Sequence, residues 1–410
     1  MFTTRRDFLK ASLASGAVLS WGFNVPGFLS RTARAAAEAK PKETILVVVQ
    51  LTGGNDGLNT VVPFKDEDYA KLRPTLKLGT PVLKKLTDEI ALHPSLDGLA
   101  GLYQDGALSI VQGVSYPNPS QSHFRSMDIW QAASTDESLT EGWIGKALRK
   151  LPSSGSFHVA AENEPAPLAL AGAPARAPSI TSLQDFQLKL GATSGADKKA
   201  QKDVIESAAK PGDGKPSLLD FVQRTAANTY ASSQRLQEIG KNYQPKTPYP
   251  NSPLANRLKL AAQLIDADLG ARIFYVSIDN FDTHADQANT HANLLLQLSA
   301  AMTAFYKDMA ERGHKDRILM MTFSEFGRRA KENGSKGTDH GAAAPMFLVG
   351  GKVKAGLIGK HPSLTDLDMG NLKHHTDFRQ VYAAVLDGWL GVPSKDVLGG
   401  VFAPVQIFKS

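Results

Sequence analysis

The 410-residue chain contains no cysteine. Disulfides and thiolate metal sites are therefore excluded, which leaves Asp, Glu, His, Asn, Ser and Thr as the side chains able to hold a cation. No Gly-x-Ser-x-Gly elbow occurs, and this argues against a serine hydrolase. The Gly-x-Gly-x-x-Gly fingerprint and the phosphate loop ending in Gly-Lys-Ser/Thr are also missing, so no nucleotide cofactor is expected. Beyond the first residues no segment is apolar for long enough to span a bilayer. A strong charge of one sign is lacking too, despite the formal net charge of +6: residues 1–35 hold five basic residues and one acidic, which leaves the remainder near +2. No nucleic-acid partner is implied by that balance.

What is present begins with "TTRRDFLKASLASGAVLSWGF", a paired arginine followed by Phe-Leu-Lys and a short small-residue apolar stretch. This is the twin-arginine export pattern, with Thr4, Arg5, Arg6, Asp7, Phe8, Leu9 and Lys10 in the motif positions. "ARAAAEA" supplies small-x-small cleavage sites near Ala35 or Ala37. Residues 1–35 are accordingly read as a signal peptide, the twin-arginine translocation machinery as a transient partner, and the mature protein as periplasmic or secreted. Residues 36–410 are enough for one large α/β domain.

That domain opens with a β-branched run, Thr44 to Leu51, broken abruptly by "TGGNDG". A continuous apolar run bounded by glycine is a buried, parallel-type strand. Similar runs follow at 107–114, 272–278, 317–323 and 345–351, with helical patterns at 93–106, 256–270 and 293–313. The alternation predicts a doubly wound, mainly parallel sheet. Between about 150 and 255, Pro-, Gly- and Ser-rich breaks around polar helical stretches read as a helical or irregular insertion or cap.

In open α/β sheets ligands bind beyond the carboxyl ends of the strands. The predicted strands are followed there by Asn55 and Asp56, by "SQSHFRSMDIW" with Ser122 and His123, by "DNFDTH" with Asp282 and His284, and by "SEFGRR" with Glu325. "GTDHG", with Asp339 and His340, directly precedes the last strand. Singly these read as turns and caps; an Asp-Gly is usually a turn, and Ser before a helix is usually an N-cap. Together they point to one polar site, because caps have no reason to gather at one rim. Asp282 and His284, spaced by two, fall on the same side of extended backbone. Carboxylates and imidazoles without thiolate suit Zn, Mn, Mg or Ca, and the N and O mixture favours Zn or Mn over Ca. Arg328 and Arg329 read as a salt-bridge cluster, and His123 as a hydrogen bond that fixes its loop.

"VVVQLTGGNDGLNTVVPF", "HPSLDGLAGLYQDGALSIVQG", "SQSHFRSMDIW", "GWIGKAL", "FDTHADQ", "SEFGRR", "GTDHG" and "DFRQVYAAVLDGWLG", in this order, resemble the exported bacterial family called domain of unknown function 1501. That resemblance implies an alkaline phosphatase and sulfatase-like fold, in which one or two metals serve phosphoryl or sulfuryl transfer. It implies Asp56, Asp282, His284, Glu325, Asp339 and His340 as metal ligands, Ser122 as nucleophile and Lys146 as an anion-binding lysine. Where the superfamily has Asp-His after its fifth strand, this chain has Glu325-Phe326. Either "TDHG" acts as the final ligand segment, or it is the Asp-His pair and the last histidine is His374 or His375. The functions expected are a metal-dependent hydrolase of small or polymeric phosphate or sulfate esters, with Lys146 or Arg125 holding charge, or a periplasmic binding or scaffold protein with an incomplete metal site.

Overall fold

The computed structural model describes residues 43–151, 154–174, 176–183, 238, 240–268 and 270–409. The signal-peptide reading of residues 1–35 and the centre of the 150–255 insertion lie outside the described residues.

Nine strands form the central sheet: β1 (Ile45–Leu51), β2 (Leu108–Ser115), β3 (Gly155–Val159), β4 (Ser179–Ile180), β5 (Ala271–Ile278), β6 (Ile318–Phe323), β7 (Ala344–Gly350), β8 (Gly356–Ile358) and β9 (Thr376–Asp377). Their order is β8-β2-β7-β6-β1-β5-β3-β4, with β9 also paired to β2. Every pairing is parallel except those of β7, which runs antiparallel to β2 and β6. The direction of β7 matters for the site. Its amino end lies at the rim where its neighbours have their carboxyl ends, so residues preceding β7 meet residues following β2 and β6.

The sheet is covered on both faces, which is why its strands read as unbroken apolar runs. Along β1, Ile45, Val47, Val49 and Leu51 enter one core cluster and Leu46 and Val48 the other. The first face is covered by α1 (Asp97–Gln104), α4 (Pro253–Asp266) and α5 (Gln287–Glu311). The second is covered by α2 (His123–Ala132), α3 (Trp143–Lys150) and α6 (Phe378–Val385). Local chemistry sets several of these helices. Ser252 caps α4 by accepting from the Ala255 amide ahead of Pro253, and α6 opens with a reciprocal capping box of Asp377 and Gln380.

The range 150–255 contributes β3 and β4 to the sheet itself. In "GSFHV" only Phe157 and Val159 enter the first core cluster, so β3 alternates with period two where the central strands are apolar throughout. No helix among the described residues is long and apolar enough to cross a membrane.

Candidate metal centre

Four polar side chains from three rim segments meet at the carboxyl end of the sheet. Asp282 and His284 come from the loop after β5, His123 is the first residue of α2, and His340 precedes β7. Ligand atoms of His123, Asp282 and His340 all lie within 4.8 Å of one another. His340 Nε2 is 3.3 Å and His284 Nε2 is 3.1 Å from Asp282 Oδ1, and His123 Nε2 is 3.4 Å from Asp282 Oδ2. The period-two placement of Asp282 and His284 holds in space, for Thr283 between them is buried and turned the opposite way.

The other nitrogen of each imidazole meets an oxygen acceptor. His123 Nδ1 lies 2.8 Å from Glu325 Oε1, His340 Nδ1 2.8 Å from the Gln121 carbonyl, and His284 Nδ1 3.4 Å from Asp339 Oδ1. A carbonyl only accepts, so His340 carries its proton on Nδ1 and presents a lone pair at Nε2. Glu325, at 2.8 Å, imposes the same tautomer on His123, whereas His284 stands between two carboxylates, Asp339 at 3.4 Å from Nδ1 and Asp282 at 3.1 Å from Nε2. Two consequences test whether a cation fits. The lone pair of His340 Nε2 stands 3.3 Å from the Asp282 carboxylate and 2.9 Å from His284 Nε2, and the buried Nε2 of His123 has no hydrogen-bond partner. A divalent cation resolves both, and carboxylate or carbonyl partners behind ligating histidines are the usual outer shell of such a site.

Charges at the site follow from these contacts. The hydrogen bond from His123 to Glu325 raises the imidazole above its ordinary value, whereas burial lowers His340. Burial pushes the Asp282 carboxyl up, but the hydrogen bond and charge of Arg328, with His284 and His123, outweigh it and leave it below the usual range. Asp339 is lowered chiefly by the hydrogen bond from Asn333.

Arg328 does more than pair with Asp282. Fully buried, it donates to Asp282 Oδ1 (2.7 Å) and to the carbonyls of Gly53, Gly54, Phe281 and Thr338. Its fork therefore ties the β1, β5 and β7 loops together, mostly through backbone, where the sequence suggested a salt-bridge cluster. Gly53 has φ +116°, and a Cβ there would stand 2.4 Å from the Asp282 amide, so only glycine permits this approach.

The remaining expected residues lie elsewhere. Glu325 and Asp339 stand on the Nδ1 side of His123 and His284, behind the converging atoms, and Glu325 also accepts from the Gly53 amide. Asp56 is fully buried in a two-pronged ion pair with Arg73, at 2.6 and 3.0 Å, and both its oxygens are thereby engaged away from the cluster. Burial pushes the Asp56 carboxyl up, yet Arg73 overrides it and brings the group down to about 2. Ser122 is the exposed N-cap of α2, and its side chain makes no capping hydrogen bond. Lys146 points at the Ala132 carbonyl, 3.5 Å away at the far end of α2. Nine residues separate Ala132 from His123, roughly 14 Å along a helix, so Lys146 is remote from the cluster. Arg125 is drawn to the Thr135 carbonyl and to Glu137. His374 and His375 are outside the converging group, with His375 beside Gly113. His123 joins the cluster although its sequence context suggested a loop contact. Its position at a helix start after a strand was the available signal.

Behind the site, burial pushes His93 and His291 down to about 4 from 6.5. Their folded-state values are depressed, so both remain neutral when the unfolded chain would protonate. Stability is then complete above pH 6.5 and declines as the pH falls toward 4, by up to about 1.4 kcal/mol per pH unit for each histidine. Urea midpoints of the metal-free protein should drop across that window; a flat profile there would contradict the burial assigned to these rings.

Comparison with known proteins adds the following. The model of the family described as Protein of unknown function (DUF1501) matches residues 43–387. No curated protein sequence matches the chain significantly. Among solved structures, the chain is similar to the C-terminal periplasmic domain of EcEptC from Escherichia coli, in complex with Zn, at 10% identity and TM-score 0.41 over 87% of this chain and 88% of that one. It is also similar to alkaline phosphatase from the Antarctic bacterium TAB5, at 13% identity and TM-score 0.31 over 75% and 92%. A third similarity is to PsFucS1 sulfatase from Pseudoalteromonas sp., at 12% identity and TM-score 0.37 over 97% and 77%.

Proposed function

This chain belongs to the DUF1501 family, and from that premise we propose that it is an exported hydrolase of phosphate or sulfate esters that depends on one divalent cation. The observation that carries the reading is the convergence of three imidazole Nε2 atoms on the Asp282 carboxylate, with every Nδ1 held by an acceptor. His123, His284, His340 and Asp282 would hold the ion, and three nitrogens with one carboxylate suit Zn or Mn. When bound, the cation supplies polarisation of an ester oxygen and lowers the pKa of an attacking hydroxyl.

The chain's own residues supply the rest. Ser122, exposed and free of a capping role, adjoins His123 and is the candidate nucleophile. The first amides of α2 favour an anion beside it. Arg329, whose charge acts on Asp339, is in this reading the candidate cation for that anion in place of the remote Lys146. Export by the twin-arginine pathway fits a site whose ligands come from distant segments, since that route carries folded protein. The Arg73 clamp on Asp56 favours, as second reading, a periplasmic binding or scaffold protein with a single cation and no turnover.

The test is elemental analysis of protein purified from the periplasm, followed by a screen of aryl phosphates and aryl sulfates. One equivalent of Zn or Mn, absent when His123, Asp282 and His340 are replaced by alanine, together with cation-dependent ester cleavage, is expected. Metal without cleavage of either ester class would favour the binding protein, and no uptake from a mixed-metal buffer would end both readings.

A further inference from the structure

Two ligand-bearing loops are joined by one buried amide. Gln287, the first residue of α5, is fully buried; its Oε1 accepts from Thr283 Oγ1 at 3.0 Å and from Thr338 Oγ1 at 2.6 Å, and its Nε2 donates to Asp56 Oδ2. The orientation of this amide is fixed by chemistry. Asp56, ionised against Arg73, can only accept, so the amide nitrogen must face it and the amide oxygen must receive both hydroxyls. Thr283 lies between Asp282 and His284, and Thr338 immediately precedes Asp339 and His340. The Thr338 amide also donates to the Thr283 carbonyl at 3.1 Å. Behind Gln287, Arg73 extends the connection, for its Nε donates to the Ala330 carbonyl at 2.7 Å and its Nη2 to the Arg329 carbonyl at 2.9 Å.

We propose that Gln287, backed by the Asp56–Arg73 pair, is a positioning unit that sets Asp282 and His284 in register with His340 and so tunes the affinity of the cation site. The inference rests on the metal reading above and gives Asp56 a role at the site other than ligation. Apolar side chains would fill the same buried space without the desolvation of an ion pair. A fully connected polar network instead fixes one arrangement of the segments it joins. The connection is made on the inward side of each loop, through residues adjacent to the ligands, so that a shift of either hydroxyl displaces a ligand of the outward side.

The experiment measures Zn²⁺ affinity by chelator competition, and the visible spectrum of the Co²⁺-loaded protein, on full-length mature chains shown by circular dichroism to be folded. Thr338→Val keeps the shape and removes the hydroxyl; Thr338→Ser keeps the hydroxyl. Gln287→Met removes the amide. The valine and methionine variants should bind about 10-fold or more weakly, as loss of an outer-shell partner does, with altered Co²⁺ bands, and the serine variant should restore both readouts. Wild-type affinity and spectrum in folded Thr338→Val would overturn the proposal, as would a serine variant as weak as the valine one. If Gln287→Met does not fold, the two Thr338 variants still decide. A wild-type protein that binds no Zn²⁺ overturns the metal reading and this proposal together, whereas tight wild-type binding with unchanged variants overturns this proposal alone.

Discussion

Asp282→Asn should abolish high-affinity metal binding while leaving the metal-free fold intact. Asp282 is the group on which His123, His284 and His340 all converge, so removing its charge takes away the only anionic ligand of the set. Outer-shell changes cost roughly 10- to 100-fold in affinity, and loss of this ligand should exceed about 100-fold. Asparagine keeps an oxygen for Arg328, whose other four acceptors are backbone carbonyls, so the guanidinium keeps its hydrogen bonds and loses only the charge of a half-exposed partner. Thermal unfolding separates the two effects. At a free metal concentration about 1,000 times Kd, the wild type gains about 4 kcal/mol by mass action. The variant should gain none, and in chelator its deficit should stay below the metal-linked difference, since Arg328 keeps its carbonyl acceptors. A deficit in chelator as large as the one in metal would mean that Asp282 serves the fold through Arg328 more than it serves a cation.

The second large effect belongs to the fold. Arg73→Met leaves the Asp56 carboxylate buried with only Gln287 as partner, and breaking one side of a buried pair costs roughly 3–5 kcal/mol. It also strips the Ala330 and Arg329 carbonyls of their donor. The double variant Asp56→Leu/Arg73→Met should recover part of that loss, since no unpaired charge remains. The pH dependence has a definite sign. Asp56 is held at about 2 against an ordinary 3.8, so the pair's contribution is complete above pH 3.8 and lost as the pH falls through 2. The wild-type contribution is therefore flat from pH 6 to pH 8, whereas in Arg73→Met burial raises the unpaired Asp56 carboxyl, so the penalty read from urea midpoints should be at least as large at pH 8 as at pH 6. A penalty under about 1 kcal/mol would show that the site tolerates Asp56 in its neutral form.

Much of the architecture is written locally. The central strands β1, β2, β5, β6 and β7 are continuous apolar runs ended by glycine or polar residues, a pattern that depends only on neighbours in the chain. The same holds for the long helices and for the fact that polar segments follow the strands. Asp282, His284 and His340 could be named as candidates because each sits beside a strand end, where an open α/β sheet collects ligands. β3 was harder to see, for its Ser156 and His158 break the apolar run that marks a strand covered on both faces.

The division between ligand and support could come only from the tertiary structure. Asp56 and Asp282 look alike in sequence, each an acid in a loop after a strand, and their fates diverge because Arg73 reaches one and three imidazoles surround the other. His123 becomes a member of the cluster because Glu325, 202 residues later, turns its ring. The antiparallel course of β7 brings Asp339 and His340 to the rim from the amino side of their strand. Apolar patterning states that a residue will be buried, and it does so from local spacing. Whether a buried charge ligates, pairs or positions depends on which oppositely charged or hydrogen-bonding groups lie within about 3 Å of it, and those groups are supplied by chain segments that meet only when the sheet has formed.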